Sequence, residues 1–218
     1  WVYRTAATEK GASNYMASRA APTPVVDVGG VYAFFESGDC LAINHEGKQR
    51  WHRSLTTDYG RFDNNHGLGG SPTQTDSLLI INVEHKGPSY LLALDKASGK
   101  TAWKTERNSS SSWSSPIVVN ADGRQQIIVS SGGTVDGYDA TSGKLQWSVG
   151  GLAGNSVPSP TVAGNLLYVG ARIPEFGEDG EAAKSNLCIA LSESVSPSKN
   201  PSVVWRASKA ISDYASPV

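Results

Sequence analysis

Cysteine is almost missing from this chain of 218 residues: there are two, together with one methionine and four histidines. Cys40 and Cys188 stand far apart in the apolar runs CLAI and LCIAL, so no paired spacing for a metal site exists, and a buried free thiol is the expected state of each. His45, His52, His66 and His85 show no H-x3-H pattern, which argues against zinc; His45 and His85 read as turn or surface residues. No apolar run approaches the roughly 20 residues that a membrane helix needs. A formal net charge of −1 gives no electrostatic reason to expect nucleic acid or an anionic membrane surface. No glycine-rich phosphate loop precedes a helical pattern, and helical periodicity is absent throughout.

Against these absences stand 23 glycines, 11 prolines and six tryptophans, and they recur in register. ALDKASGKTAW (93–103) matches GYDATSGKLQW (137–147) at Asp95/Asp139, Ser98/Ser142, Gly99/Gly143, Lys100/Lys144 and Trp103/Trp147. AINHEGKQRW (42–51) is a copy one residue shorter, with Asn44 in place of the Asp. A proline after a small or polar residue opens a β-rich run at Pro24, Pro72, Pro116, Pro160 and Pro217, and Trp1, Trp51, Trp103, Trp147 and Trp205 keep step with it. Such a comb is an internal repeat, and it must be interpreted before any single motif.

Each unit reads as four strands: a short apolar strand after the Pro, a second rich in Ile, Val and Tyr, a third ending at the Asp, and a fourth carrying the Trp. Four short antiparallel strands every 40–50 residues describe a β-propeller blade. Complete units are expected at 24–51, 72–103, 116–147 and 160–205, flanked by a lone Trp strand at 1–4 and an opening strand at 216–218. In this reading Gly99 and Gly143 close a hairpin at positive φ, Asp95 and Asp139 accept backbone N–H bonds in the same turn, and Trp51, Trp103, Trp147 and Trp205 bridge to a neighbouring blade. Those residues are expected to be structural.

The motif resembles the AxDxxTGKxxW repeat of the quinoprotein-type (PQQ-like) β-propeller family, with Ser for Thr in both full copies and Gly137 for Ala in the second. Its members include quinoprotein alcohol dehydrogenases, the lipoprotein of the β-barrel assembly machinery and other exported bacterial propellers. The resemblance implies an all-β propeller ring of seven or eight blades, of which about four are expected here, and residence in the periplasm or cell envelope. A half-ring completed by a second copy is the alternative.

For the catalytic members the resemblance implies PQQ and Ca²⁺, held by a vicinal Cys-Cys disulfide, a stacking Trp and an Asp base. No adjacent Cys pair occurs here, and the spare Trp113 sits in the Ser-rich loop RNSSSSWSS. The acidic run at Glu175, Glu178, Asp179 and Glu181, within the insertion 172–186, fits no EF-hand spacing and reads as a solvated loop. Ser196 and Lys199 mimic a Ser-x-x-Lys pair in a Pro-rich stretch with no helix to orient it. Neither a cofactor nor a metal site is therefore expected, and catalytic residues are expected to be none.

The favoured reading is a non-catalytic binding or scaffolding module for protein or peptide partners. Its alternative is a PQQ-dependent alcohol or sugar dehydrogenase whose active-site residues lie mostly outside this segment. The candidate binding surface is the set of loops entering each opening strand, with Tyr59, Arg61, Asp63, Asn64 and His66 in the first, Trp113 in the second and Asn155 in the third.

Overall fold

A computed structural model describes residues 1–9, 20–63, 66–108, 111–121, 123–152, 154–170, 186–191, 200–207 and 215–217. Asn64, the acidic run 175–181 and the Ser196–Lys199 pair lie outside the described residues. The chain divides into two compact units, Trp1–Ser111 and Ser112–Val218.

The first unit holds two four-stranded antiparallel sheets. Strands β1 (Val25–Asp27), β2 (Gly30–Phe34), β3 (Asp39–Ile43) and β4 (Gln49–Ser54) pair in chain order. A short helix α1 (Leu55–Tyr59) leads to β5 (Thr73–Gln74), β6 (Leu78–Val83), β7 (Ser89–Asp95) and β8 (Thr101–Arg107). The second unit repeats the plan with β9 (Ile117–Ala121), β10 (Arg124–Ser131), β11 (Thr134–Asp139) and β12 (Leu145–Val149). Its second sheet is β13 (Thr161–Ala163), β14 (Leu166–Val169), β15 (Leu187–Ala190) and β16 (Ser202–Arg206). Each sheet is a propeller blade, so the all-β expectation of four blades from four repeat units describes the molecule.

Two details depart from the sequence reading. Helix α1 takes in Asp58 and Tyr59, which were expected to begin a loop; Ser54 caps it, its Oγ accepting the Thr57 N–H at 3.3 Å. Residues 1–4 form no strand, and neither do 216–217, where an opening strand was expected. Trp1 nevertheless donates its indole N–H to the His45 carbonyl at 2.9 Å and lies over Gly47, where an added Cβ would come within 2.7 Å of the ring.

The two middle strands of each blade carry most of its buried residues, and the fourth forms an edge. In the first unit Tyr32, Phe34, Ala42 and Trp51 pack against Leu79, Ile81, Leu92 and Leu94 of the next sheet. In the second, Val119, Ile128 and Trp147 pack against Leu167, Val169 and Ile189. Cys40 and Cys188 are free and buried, as expected, and burial pushes both thiols up.

The motif residues have visible work. Asp95 Oδ1 accepts the Ser98 N–H at 2.8 Å and its hydroxyl at 2.5 Å, and Asp139 Oδ1 accepts the Ser142 N–H at 2.8 Å. These bonds, from Ser98 and chiefly Thr141 respectively, hold both carboxyls below the usual range. Gly99 and Gly143 close the turns at φ 72° and 68°. In the shortened copy Asn44 does the same, its Oδ1 accepting the N–H groups of Glu46 and Lys48.

The residue paired with each Trp is small: Ala42 faces Trp51, Ala93 faces Trp103, Gly137 faces Trp147 and Cys188 faces Trp205. The register slips by one immediately after each of them, so the same bulge recurs in every blade. At Gly137 the cause is direct, since a Cβ there would lie 2.1 Å from the Trp147 ring.

Serine links the openings of successive blades within each unit. The Thr23 N–H donates to Ser71 Oγ at 2.9 Å, the Ser115 N–H to Ser159 Oγ at 2.9 Å, and the Ser159 N–H to Ser216 Oγ at 3.0 Å. Ser71, Ser159 and Ser216, each just before a repeated Pro, are therefore hydrogen-bond acceptors for the preceding opening.

Candidate functional site

The connection from β4 to β5 carries five of the seven candidate binding residues. It emerges at the end of the sheets that also bears the β2–β3 and β6–β7 turns. Tyr59, the last residue of α1, is half-buried: its hydroxyl meets Thr101 Oγ1 at 2.7 Å and its ring stands edge-on to Tyr90 at 5.2 Å. The Lys104 ammonium lies over both rings, 5.3 and 4.9 Å from their centroids. Tyr59 thus ties the helix to the outer strand β8.

Arg61 and Asp63 follow on an irregular segment fixed by its backbone. The Lys86 N–H donates to the Asp63 carbonyl at 3.0 Å, and the Asp63 N–H donates to His85 Nδ1 at 2.9 Å. The Gly87 N–H reaches the same nitrogen at 2.9 Å. Because Nδ1 accepts two backbone bonds, the imidazole proton resides on Nε2. His85 is 1 % exposed, packs 5.2 Å from the Phe62 ring, and its Nε2 has no partner among the described residues. Burial lowers its pKa against the opposing charge of Asp63. The expected turn position of His85 is right, but it is a buried strut and no surface residue.

The Arg61 side chain extends into solvent and pairs with Glu9 at 2.7 Å. Glu9 belongs to an N-terminal strap, residues 5–9, that crosses the β2–β3 turn. Thr8 anchors the strap, its N–H and hydroxyl donating to the two oxygens of Asp39 at 2.8 and 2.5 Å. Ser37 Oγ donates to the same carboxylate at 2.6 Å and His52 Nε2 lies 2.9 Å from it. Burial opposes ionisation of Asp39, yet the bonds from Ser37, Thr8 and His52 prevail and hold its pKa below the usual range. His66 is exposed on the same connection.

The other two candidates belong to the second unit. Trp113 is half-buried, with its backbone N–H on the Ser156 carbonyl at 2.7 Å. Asn155 is 1 % exposed. Its Oδ1 accepts the Gly133 N–H at 2.9 Å, and its Nδ2 donates to Ser130 Oγ at 3.0 Å and the Thr134 carbonyl at 2.7 Å. Both ends of that amide are engaged in clamping the β10–β11 turn. The structure therefore gathers Arg61, Asp63 and, through them, Glu9, Asp39 and His85. Nothing in the sequence links those last three to the loop, because Glu9 is 52 residues from Arg61 and His85 is 22 from Asp63, and the contacts form only on folding.

Among the described residues no three His, Cys, Asp or Glu side chains gather as a metal-holding group. The two cysteines lie in different units, so the described donor set does not fit the quinone and Ca²⁺ arrangement that the resemblance implies for catalytic relatives. No described helix is long and apolar enough to cross a membrane.

Known proteins place this geometry in a wider setting. No curated protein sequence matches the chain. Among solved structures, BamB from Moraxella catarrhalis is similar over 86 % of this chain and 49 % of its own, at 18 % identity and a TM-score of 0.59. The quinohemoprotein alcohol dehydrogenase ADHIIG from Pseudomonas putida HK5 is similar over 88 % of this chain and 34 % of its own, at 17 % identity and 0.61. A europium-containing methanol dehydrogenase is similar over 88 % and 42 %, at 13 % identity and 0.63. The chain thus spans less than half of each of these structures, and at such identities the likeness is one of fold. The family profile described as outer membrane protein assembly factor BamB matches residues 61–187, more than half of the sequence. The chain belongs to that family of PQQ-like repeat propellers.

Proposed function

We propose that this chain is part of a non-catalytic binding module for a protein or peptide partner in the bacterial cell envelope, engaged through the β4–β5 connection and the strap beside it. The observation that carries this reading is a solvent-facing polar segment, with Arg61 and His66 exposed, on a backbone locked by His85 and the β6–β7 turn. A fixed backbone presenting exposed polar side chains suits recognition, because no loop has to be ordered on docking. The matched family's description as an outer membrane assembly factor supports a protein partner and an envelope location.

The similarity to two dehydrogenases supports a second reading, in which the cofactor site is built by residues beyond those described here. The experiment that separates them uses the full-length protein in its own cell envelope, with a photoreactive residue at position 61, 66 or, as control, the exposed Val28 at the opposite end. A discrete protein adduct from 61 and 66 and none from 28 supports the module. Equal labelling from all three, combined with a melting-temperature shift and dye reduction on adding PQQ with Ca²⁺, supports the dehydrogenase instead.

A further inference from the structure

Between the strap and the β2–β3 turn lies a cavity of about 250 Å³, whose described lining includes Ala7, Glu9, Ala20, Phe35, Glu36 and Asp39. From it we infer that the first unit takes a basic side chain, arginine or lysine, from the partner polypeptide. This rests on the binding-module reading and specifies the chemistry of its partner.

Size is the first argument. Pockets for whole small ligands and cofactors run from about 300 Å³ upward, so this one suits a single long side chain. The wall is the second. Ala7, Ala20 and Phe35 offer apolar surface to a hydrocarbon stem, and the Phe35 ring suits a flat guanidinium or an ammonium.

Charge is the third argument, and it decides the head group. Among the described residues, every ionisable side chain lining the cavity is acidic. Asp39 is saturated by Thr8, Ser37 and His52, and Glu9 is committed to Arg61. Glu36 has no hydrogen-bond or ion partner among the described residues, and its half-buried carboxylate rests against Gly67 of the β4–β5 connection. Gly67 stands at φ 72° and an added Cβ would come within 2.4 Å of that carboxylate, so its lack of a side chain leaves Glu36 room there. A carboxylate held beside apolar walls gains most from a cation that brings its own charge-assisted hydrogen bonds. The saturated Asp39 and the Glu9–Arg61 pair then serve as the frame, fixing the strap that closes the cavity.

The test titrates the full-length protein with a short capped peptide carrying one arginine, with its citrulline counterpart, and with agmatine as a free amine. The expected result is that the arginine peptide binds, weakens at least tenfold in Glu36→Gln, weakens in high salt, and is unaffected by Glu46→Gln at the opposite end. Equal binding of the citrulline peptide, unchanged binding by Glu36→Gln, or no binding of the arginine peptide at millimolar concentration each overturns the inference. Agmatine binding as tightly as the peptide also overturns it, since the site would then serve a small amine. If the peptide fails while position 61 still cross-links a protein, the cavity inference falls and the binding module stands. If cross-linking fails as well, both fall.

Discussion

The two units solve one packing problem in different ways. In the first, Trp51 reaches across to the next blade: its indole N–H donates to the Lys96 carbonyl at 2.9 Å and its ring lies on Gly99, where an added Cβ would come within 2.7 Å. Lys96, 5 % exposed, adds a bond from its ammonium to Asp27 at 2.5 Å and another to the Thr75 carbonyl at 2.7 Å. In the second, the Trp147 indole donates to Gln126 of its own sheet at 2.8 Å and lies on Gly137. The position corresponding to Lys96 is Ala140, and the sequence between β15 and β16 contains no Gly-Lys turn. There Arg206 donates to the Gly150 and Gly151 carbonyls at 3.0 and 3.1 Å, and the Ser148 N–H to Asn200 at 3.1 Å. A receiving turn makes the tryptophan an inter-blade anchor; without one its polar end stays at home.

The largest expected effect follows from that contrast. Trp51→Ala removes a buried ring and its inter-blade bond, and should cost about 3–5 kcal/mol in urea unfolding. Trp51→Phe keeps most of the ring and isolates the hydrogen bond, for about 1 kcal/mol. A Trp51→Ala loss under 1 kcal/mol would show that the first unit does not depend on its anchor.

Gly137→Ala should come next, at about 2–3 kcal/mol, because the added methyl meets the Trp147 ring and must push it off Gln126. Ala93, its counterpart opposite Trp103, already carries that methyl. Thermal unfolding of the two variants Gly137→Ala and Ala93→Gly checks whether the second unit alone is intolerant. A smaller cost, about 0.5–1.5 kcal/mol, is expected for Ser159→Ala, which cuts the link from Ser115 while exchanging few atoms.

Acid should separate the units as well, since all four histidines fall in the first. The buried neutral His85 has a lowered folded pKa, so the unfolded chain takes up its proton first. Its contribution is complete above the ordinary value of 6.5 and is lost as pH falls below it toward the folded value. Amide exchange at Asp63 and Gly87 should accelerate over that window, and His85→Gln should remove the pH dependence. The least effect on stability is expected from Arg61→Ala, since its ion pair is solvent-exposed; the melting temperature should not move.

Much of the architecture could be read before folding was considered. The Asp-turn, the glycines at positive φ and the tryptophan spacing are local patterns, each set within a dozen residues, and they repeat. Helix α1 was hidden because five residues are too few to show a period, and its cap is a common serine. Arg61 and Asp63 are exposed, as a polar loop suggests, but Asn155 and Tyr59 could not be told from surface residues, since polar side chains give no sign of which way they point.

Sequence alone decided the blade, its repeat and its family, because strand length, turn chemistry and the small residue facing each tryptophan are short-range requirements. Tertiary structure decided the rest: which indole finds a receiving turn, that His85 is buried beneath Asp63, and that a strap from residues 5–9 closes over Glu36. Those outcomes depend on contacts between segments twenty to fifty residues apart, and no local pattern encodes where such segments meet.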